Sequence, residues 1–523
     1  MHTTLYRGGH VYSAADPKAT ALLVRDGRIA WIGTGDDAPA ADAVVNLDGA
    51  LVTPAFVDAH VHATDTGLTL AGLDLSEVRS PGQLLDAVAG FAAGLAPEAV
   101  LLGHGWDEST WDDQHPPSAA ELERAGGGRL VYLSQASIHS ALCSSALLAA
   151  AGAEAVAAPG YDESGWLRRS AHHVVRAIAL GSITPAQRRT AQVSTLRRAA
   201  ALGIAAVHEC GGPGTSDEVD FTGFLALGGA ANHLPEVYGY WGELMGAAKA
   251  RDLGAVGAGG DLYADGALGS HTAHLRQPYV DGEDGACGHG YITAEQVAEH
   301  LVDCARHGVQ GGFHAIGDQA ISTVLAGFRS AAATVGLDRL RAGRHRIEHV
   351  EIVDKVIIAG LVEFGIVASM QPAFDRLWGG AGQMYEQRLG LTRSLESNPM
   401  GAMHSVGVAL AFGSDSPVTP LDPWGSVRAA MSHHNPAYRM SARSAFAAHS
   451  RGGWRAVHRD DEGVLVPGAS ATFAVWDVPV SAGLTAGLPT LVEAGPDEPR
   501  PALPRCVRTV LRGTTIYEED QAA

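Results

Sequence analysis

Between about Pro54 and Gly463 short apolar runs alternate with Ala/Leu/Arg-rich stretches of helical character, and strand-like segments crowd both chain ends. Strands alternating with helices make βαβ units and a parallel sheet. With 523 residues, one barrel with insertions, which can exceed about 400 residues, leaves chain over for a satellite. These observations predict an α/β fold: a (β/α)8 TIM barrel with a small discontinuous β-sandwich formed by both chain ends.

The N-terminal strands are expected at Thr4–Tyr6, Val11–Tyr12, Ala21–Arg25, Arg28–Gly33 and Ala43–Leu47, parted by turn signals such as Arg25-Asp26-Gly27. At the other end Ala471–Trp476 and Val507–Leu511 are β-rich, and Arg512-Gly513 reads as a turn. Neither end has the apolar surface for its own core, so residues 1–53 should pair with 464–523. The barrel should occupy 54–463, with helices such as Gln83–Ala93, Pro185–Leu202, Ala294–His307 and Gln319–Val335. Candidate strands begin near Phe56, Val100, Leu130, Ile204, Glu236, Asp261, Val309, His345, Ile366 and Val408. Eight close a barrel; the other two are expected in an insertion within about 105–200.

Composition narrows the function. Hydrophobic residues at 46% against 18% charged exclude a disordered chain. A net charge of −20 repels phosphate backbones, so nucleic acid is not an expected partner. Five scattered cysteines without a CxxC indicate incidental thiols in a reducing compartment. No signal-peptide pattern and no run of the ~18 apolar residues a membrane helix needs is present. The expectation is a cytoplasmic protein with no membrane partner, acting on a small molecule, with self-association left open.

The sharpest local pattern is Phe56-Val57-Asp58-Ala59-His60-Val61-His62. On a strand Asp58, His60 and His62 share one face and Val57, Ala59 and Val61 the other. Two imidazoles at i and i+2 can reach one ion at bond lengths of ~2 Å. His314 ends another apolar run just before a helix, His349 does so one βα unit later, and Asp415 ends a later one. Four His and an Asp thus fall at C-terminal strand ends, where barrel active sites lie. Nitrogen and carboxylate donors there make up a hydrolytic metal site. His208-Glu209 also ends a strand and reads as supporting structure; His172-His173 and His433-His434 read as surface pairs.

These motifs, together with Gly105-Trp106-Asp107-Glu108, Ala264-Asp265-Gly266-Ala267-Leu268-Gly269-Ser270, His314-Ala315-Ile316-Gly317-Asp318, Arg346-Ile347-Glu348-His349, Gln371-Pro372, Phe412-Gly413-Ser414-Asp415-Ser416-Pro417-Val418 and Asp422-Pro423, resemble the amidohydrolase superfamily. The likeness is to its family 3 branch, which includes N-substituted formamide deformylase-like proteins, and it covers nearly the whole chain. It implies metal ligands at His60, His62, His314, His349 and Asp415, with Asp415 also the general base that moves a proton from water to the leaving amine. It implies substrate contacts at Trp106, His139, Gln371 and Asp265, and a divalent metal, zinc above others.

One position departs from the family pattern. A lysine, carbamylated to bridge two metals, often lies four residues before the Asp-Gly pair; here Asp261 stands there. The shorter side chain implies either a poor substitute bridge or a site with one ion, and the one-ion reading is favoured. By analogy with one-metal relatives His349 would then polarise the substrate as an electrophile. Their frequent Glu three residues after the His is replaced by Gly317, with Asp318 one later. The expected reaction is hydrolysis of a non-peptide amide or formamide-like C–N bond. The rivals are a deaminase, lactonase or carbamate esterase on the same site, and a barrel that has lost catalysis and serves as a binding scaffold.

Overall fold

The computed structural model describes residues 2–111, 115–136, 140–213, 215–492 and 500–519. The chain divides into two compact units, one made of residues up to His62 with those from Leu196 onward, the other of Ala63–Thr195.

The first unit contains an eight-stranded parallel sheet. Its strands are β1 (Phe56–Val61), β2 (Ile204–Gly211), β3 (Glu236–Trp241), β4 (Gly257–Ala258), β5 (Gln310–Ala315), β6 (Arg346–His349), β7 (Val367–Met370) and β8 (Ala409–Phe412), each hydrogen-bonded to the next. β1, β2, β5, β6 and β7 are buried along their whole length, as expected where helices cover one face and barrel packing the other. Closure runs through the backbone just past β8. The Asp415 N–H donates to the His60 carbonyl (2.8 Å) and the His62 N–H to the Ser416 carbonyl (2.8 Å), a parallel bridge of Val61 with Ser416. The Asp58 carboxylate adds a clamp by accepting the Ser414 N–H at 2.8 Å.

The chain ends form two sheets of the same unit. One orders Arg28–Gly33, Ala21–Arg25, Thr3–Arg7 and Ala43–Asn46; the other orders His10–Val11, Leu51–Pro54, Phe473–Asp477, Arg505–Leu511 and Thr514–Glu518. Tyr6, Leu22 and Val24 from the first, with Leu47 just past its last strand, meet Val52, Phe473, Val475 and Val510 from the second in one core. The hairpin at Asp26-Gly27 has both φ angles positive (50° and 75°), the geometry of a tight primed turn. Pro54 ends the sandwich and Phe56 starts the barrel, its ring edge-on to Trp476 and Trp424.

The second unit differs from the expected insertion at its start. It begins at Ala63, not near 105, and has its own five-stranded sheet: Trp166–Arg168, Ser140–Cys143, Val131–Gln135, Leu101–Trp106 and Leu73–Asp74 in spatial order. The two surplus candidate strands near Val100 and Leu130 lie here. Periodicity could not separate them, because a covered strand between helices has one signature whichever sheet it joins.

Candidate metal centre

Each functional side chain is delivered by the end of a barrel strand. His60 is the inward residue near the end of β1, and His62 lies just past it. β5 supplies His314, β6 ends on His349, and Asp415 follows β8. His349 and Asp415 both hold positive φ angles (72° and 55°), a conformation that costs non-glycine residues about 1–3 kcal/mol and gathers at functional sites. For Asp415 the closing hydrogen bond to His60 holds that turn.

Three histidines are oriented by acceptors behind them. His60 Nδ1 lies 2.9 Å from Glu348 Oε2. His349 Nδ1 lies 2.8 Å from Gln371 Oε1, and His314 Nε2 lies 3.2 Å from the Gly266 carbonyl. With these nitrogens donating, the opposite ones, His60 Nε2, His349 Nε2 and His314 Nδ1, keep their lone pairs. Phe374 stacks on the His349 ring, nearly parallel at 10°.

The free lone pairs converge. Asp415 Oδ1 is 3.4 Å from His60 Nε2 and 3.2 Å from His62 Nε2. Asp261 lies among all four rings: Oδ1 is 3.7 Å from His60 Nε2, 3.4 Å from His314 Nδ1 and 3.8 Å from His349 Nε2, and Oδ2 is 3.1 Å from His62 Nε2. Among the described residues His60 Nε2, His314 Nδ1, Asp261 Oδ1 and Asp415 Oδ1 are buried with no hydrogen-bond partner. Leaving one such group unsatisfied costs about 1–3 kcal/mol, so four aimed at one point fit a cation-binding cluster. Burial pushes the Asp415 and Asp261 carboxyls up, but the imidazoles around them, His60 foremost, pull both below the ordinary carboxylate range, Asp261 the further. Both are therefore anionic donors.

Behind the cluster lies a charged network that sequence reasoning missed. Arg346 and Glu348, alternate residues of β6, are both fully buried. The guanidinium grips Glu348 through Nε (2.5 Å) and Nη2 (2.8 Å), and reaches Ser369 Oγ, the Ala59 carbonyl and His208 Nδ1. Its plane lies 4.3 Å over the Tyr240 ring. Arg346 outweighs burial and holds the Glu348 carboxyl well below its ordinary range. The available signal was Arg-x-Glu on one face of a buried strand, where a charge must be paired. The supporting role read for His208 is filled by this contact.

Three expected substrate contacts sit differently. Trp106 is fully buried in the core of the second unit, its indole N–H donating to the Leu133 carbonyl. Gln371 is buried and spends its carbonyl on His349. Asp265 accepts the N–H groups of His274 (2.8 Å), Ile316 (3.0 Å) and Gly317 (2.8 Å), with no surface exposed. Its role is to pin the segment after His314. Asp265→Asn, which puts an NH2 among three donors, should lower stability by about 1–3 kcal/mol in urea unfolding while metal content stays at the wild-type level; unchanged stability with a raised KM would return Asp265 to the substrate pocket. His139 falls outside the described residues. Of the presumed surface pairs, His433 is buried, 3.3 Å from Asp375, and His172 is buried, 2.7 Å from the Tyr132 hydroxyl.

Comparison with known proteins places this arrangement. Over 513 residues the chain is 27% identical to Protein LONG AFTER FAR-RED 3 of Arabidopsis thaliana, covering 88% of this chain and 85% of that one. Over 570 residues it is 24% identical to a putative amidohydrolase, YtcJ, of Bacillus subtilis (strain 168), covering 98% and 99%. The crystal structure of an uncharacterized metal-dependent hydrolase from Pyrococcus furiosus shares the fold, with a TM-score of 0.77 and 24% identity over 90% of this chain and 98% of that one. The model of the amidohydrolase family matches residues 43–517. With that match spanning almost the whole sequence, and with the strand-end histidines and aspartates brought together at one rim, the chain belongs to the amidohydrolase family.

Proposed function

We propose that the protein is a metal-dependent hydrolase of a non-peptide C–N bond, an amide or formamide-like bond in a small molecule. The observation that carries this reading is the set of four buried, partnerless donor atoms on His60, His314, Asp261 and Asp415. A divalent cation bound there supplies Lewis acidity, acidifying water and polarising a carbonyl; the nitrogen-rich donor set suits zinc. His60, His62, His314, His349 and Asp415 are the holding residues, with Glu348, Gln371 and the Gly266 carbonyl fixing three of the rings.

Asp415 does the proton work. Its carboxylate takes a proton from the attacking water as the water oxygen bonds to the carbonyl carbon. It then delivers that proton to the nitrogen as the C–N bond breaks, so the products are a carboxylic acid and an amine. Its depressed pKa keeps it in the basic form at neutral pH, and the left-handed turn at Asp415 aims one oxygen, Oδ1, into the cluster.

The test is a panel of N-formyl, N-acyl and cyclic amides offered to zinc-loaded protein. Hydrolysis of at least one is expected, abolished by a chelator and restored by zinc. Turnover of lactones or ring amines alone would transfer the reading to a lactonase or deaminase, and protein that takes up no metal would overturn the metal-dependent reading altogether.

A further inference from the structure

The segment after β4 departs from what its sequence suggests. β4 is only two residues long, and Asp261 lies beyond it in irregular backbone, not on a strand. Gly259 and Gly260 precede it, with Gly260 in the left-handed region at φ 75°. A Cβ on Gly259 would lie 2.3 Å from the Gly312 nitrogen, so glycine lets the chain press against β5. The next residues stay there: the His314 N–H donates to the Leu262 carbonyl (2.9 Å) and the Ala264 N–H to the His314 carbonyl (2.8 Å). Asp261 therefore starts from a backbone drawn inward, and a short side chain reaches the centre. The objection that an aspartate is too short assumed a regular strand and does not apply.

The donors also outnumber one ion. Four imidazole nitrogens, Asp415 Oδ1 and both Asp261 oxygens point into the site, whereas zinc in proteins takes about four ligands. Donors bound at about 2.0–2.2 Å to one ion lie roughly 3–3.5 Å apart. By that measure they sort into two groups sharing Asp261. His62 lies 3.1 Å from Oδ2 and meets His60 at Asp415 Oδ1 (3.2 and 3.4 Å), while His314 and His349 flank Oδ1 at 3.4 and 3.8 Å, with His60 between the groups, 3.7 Å from Oδ1. The Tyr263 hydroxyl, 3.4 Å from Oδ2, steadies the carboxylate.

We propose that Asp261 is the bridging ligand of a two-ion centre, one carboxylate oxygen to each ion. This rests on the metal-site reading above but not on the bond hydrolysed. A carboxylate carries its charge permanently, so assembly of this bridge needs no bicarbonate.

The test uses the full-length protein, stripped of metal and titrated with Mn2+ in carbonate-free buffer. Bound Mn2+ is counted by loss of the free-ion paramagnetic resonance signal, and the bound form is examined at low temperature. Wild type should bind two ions per chain with a spin-coupled spectrum, unchanged when bicarbonate is added. Asp261→Ala should fall toward one ion with an uncoupled spectrum, and Asp261→Asn, which keeps the shape and one good donor, should lie between. A wild type that binds one ion, or requires bicarbonate for the second, overturns the proposal; so does coupling that survives in Asp261→Ala. No substrate enters this experiment, so its failure is separate from failure of the amide panel.

Discussion

Asp415→Asn should lower kcat by about 10²–10⁴-fold, the usual contribution of a positioned general base, on whichever amide the wild-type protein turns over. Asparagine keeps the shape and an oxygen donor, and its backbone N–H can still close the barrel on the His60 carbonyl. It has no lone pair basic enough to hold the proton between water and leaving nitrogen. Metal content should fall much less than activity, because the histidines and Asp261 remain. Activity within about tenfold of wild type, ~1.4 kcal/mol of activation barrier, would strip Asp415 of that role.

Arg346→Met should destabilise the protein by about 3–5 kcal/mol, the penalty for leaving a buried charge without its partner, read as a shift of the urea midpoint. Glu348 would keep its contact to His60 but lose both guanidinium bonds, and His208 and Ser369 would lose theirs. The double variant Arg346→Met, Glu348→Leu removes both charges and should recover much of the stability. It should nonetheless bind zinc about 10–100-fold more weakly, since nothing then orients His60. A single variant losing under about 1 kcal/mol would show that the network does not hold the barrel interior. The pH dependence has a definite sign. Glu348 titrates below its unfolded value of about 4.3, so its contribution is complete above that pH and lost as pH falls through and below it.

Legibility in the sequence followed the reach of local pattern. That His60, His62, His314, His349 and Asp415 come together at strand ends was legible because strand period two and strand-end position are local properties. The paired chain ends could be found because their strands and turns use ordinary β and Asp-Gly chemistry. The backbone at Asp261 was not legible, because the fourth strand is only two residues long and glycines bend the chain after it. Asp265 and Gln371 were assigned to substrate although one holds three backbone N–H groups and the other a histidine, partners up to 52 positions away. Arg346 and Glu348 were in plain sight, but their meaning lies in neighbours on β1, β2 and β7. The second unit's boundary was lost because its strands obey the same rules as the barrel's.

The closure of the barrel has a consequence for how the protein is made. Asp58 clamps Ser414, 356 positions later, and the same juncture joins His60 to Asp415. At roughly 5–20 residues per second, the ribosome delivers the second half of this clasp on the order of 20–70 s after the first. Through that interval the nascent chain carries the His60-Val61-His62 pair without its aspartate, while the Ala63–Thr195 unit is already complete in sequence. Ions captured early would have two ligands and exchange freely. The complete donor set therefore exists only once the last barrel strand and Asp415 have emerged, so a chain that stalls before them keeps the histidines and Asp261 but lacks the residue proposed to move the proton.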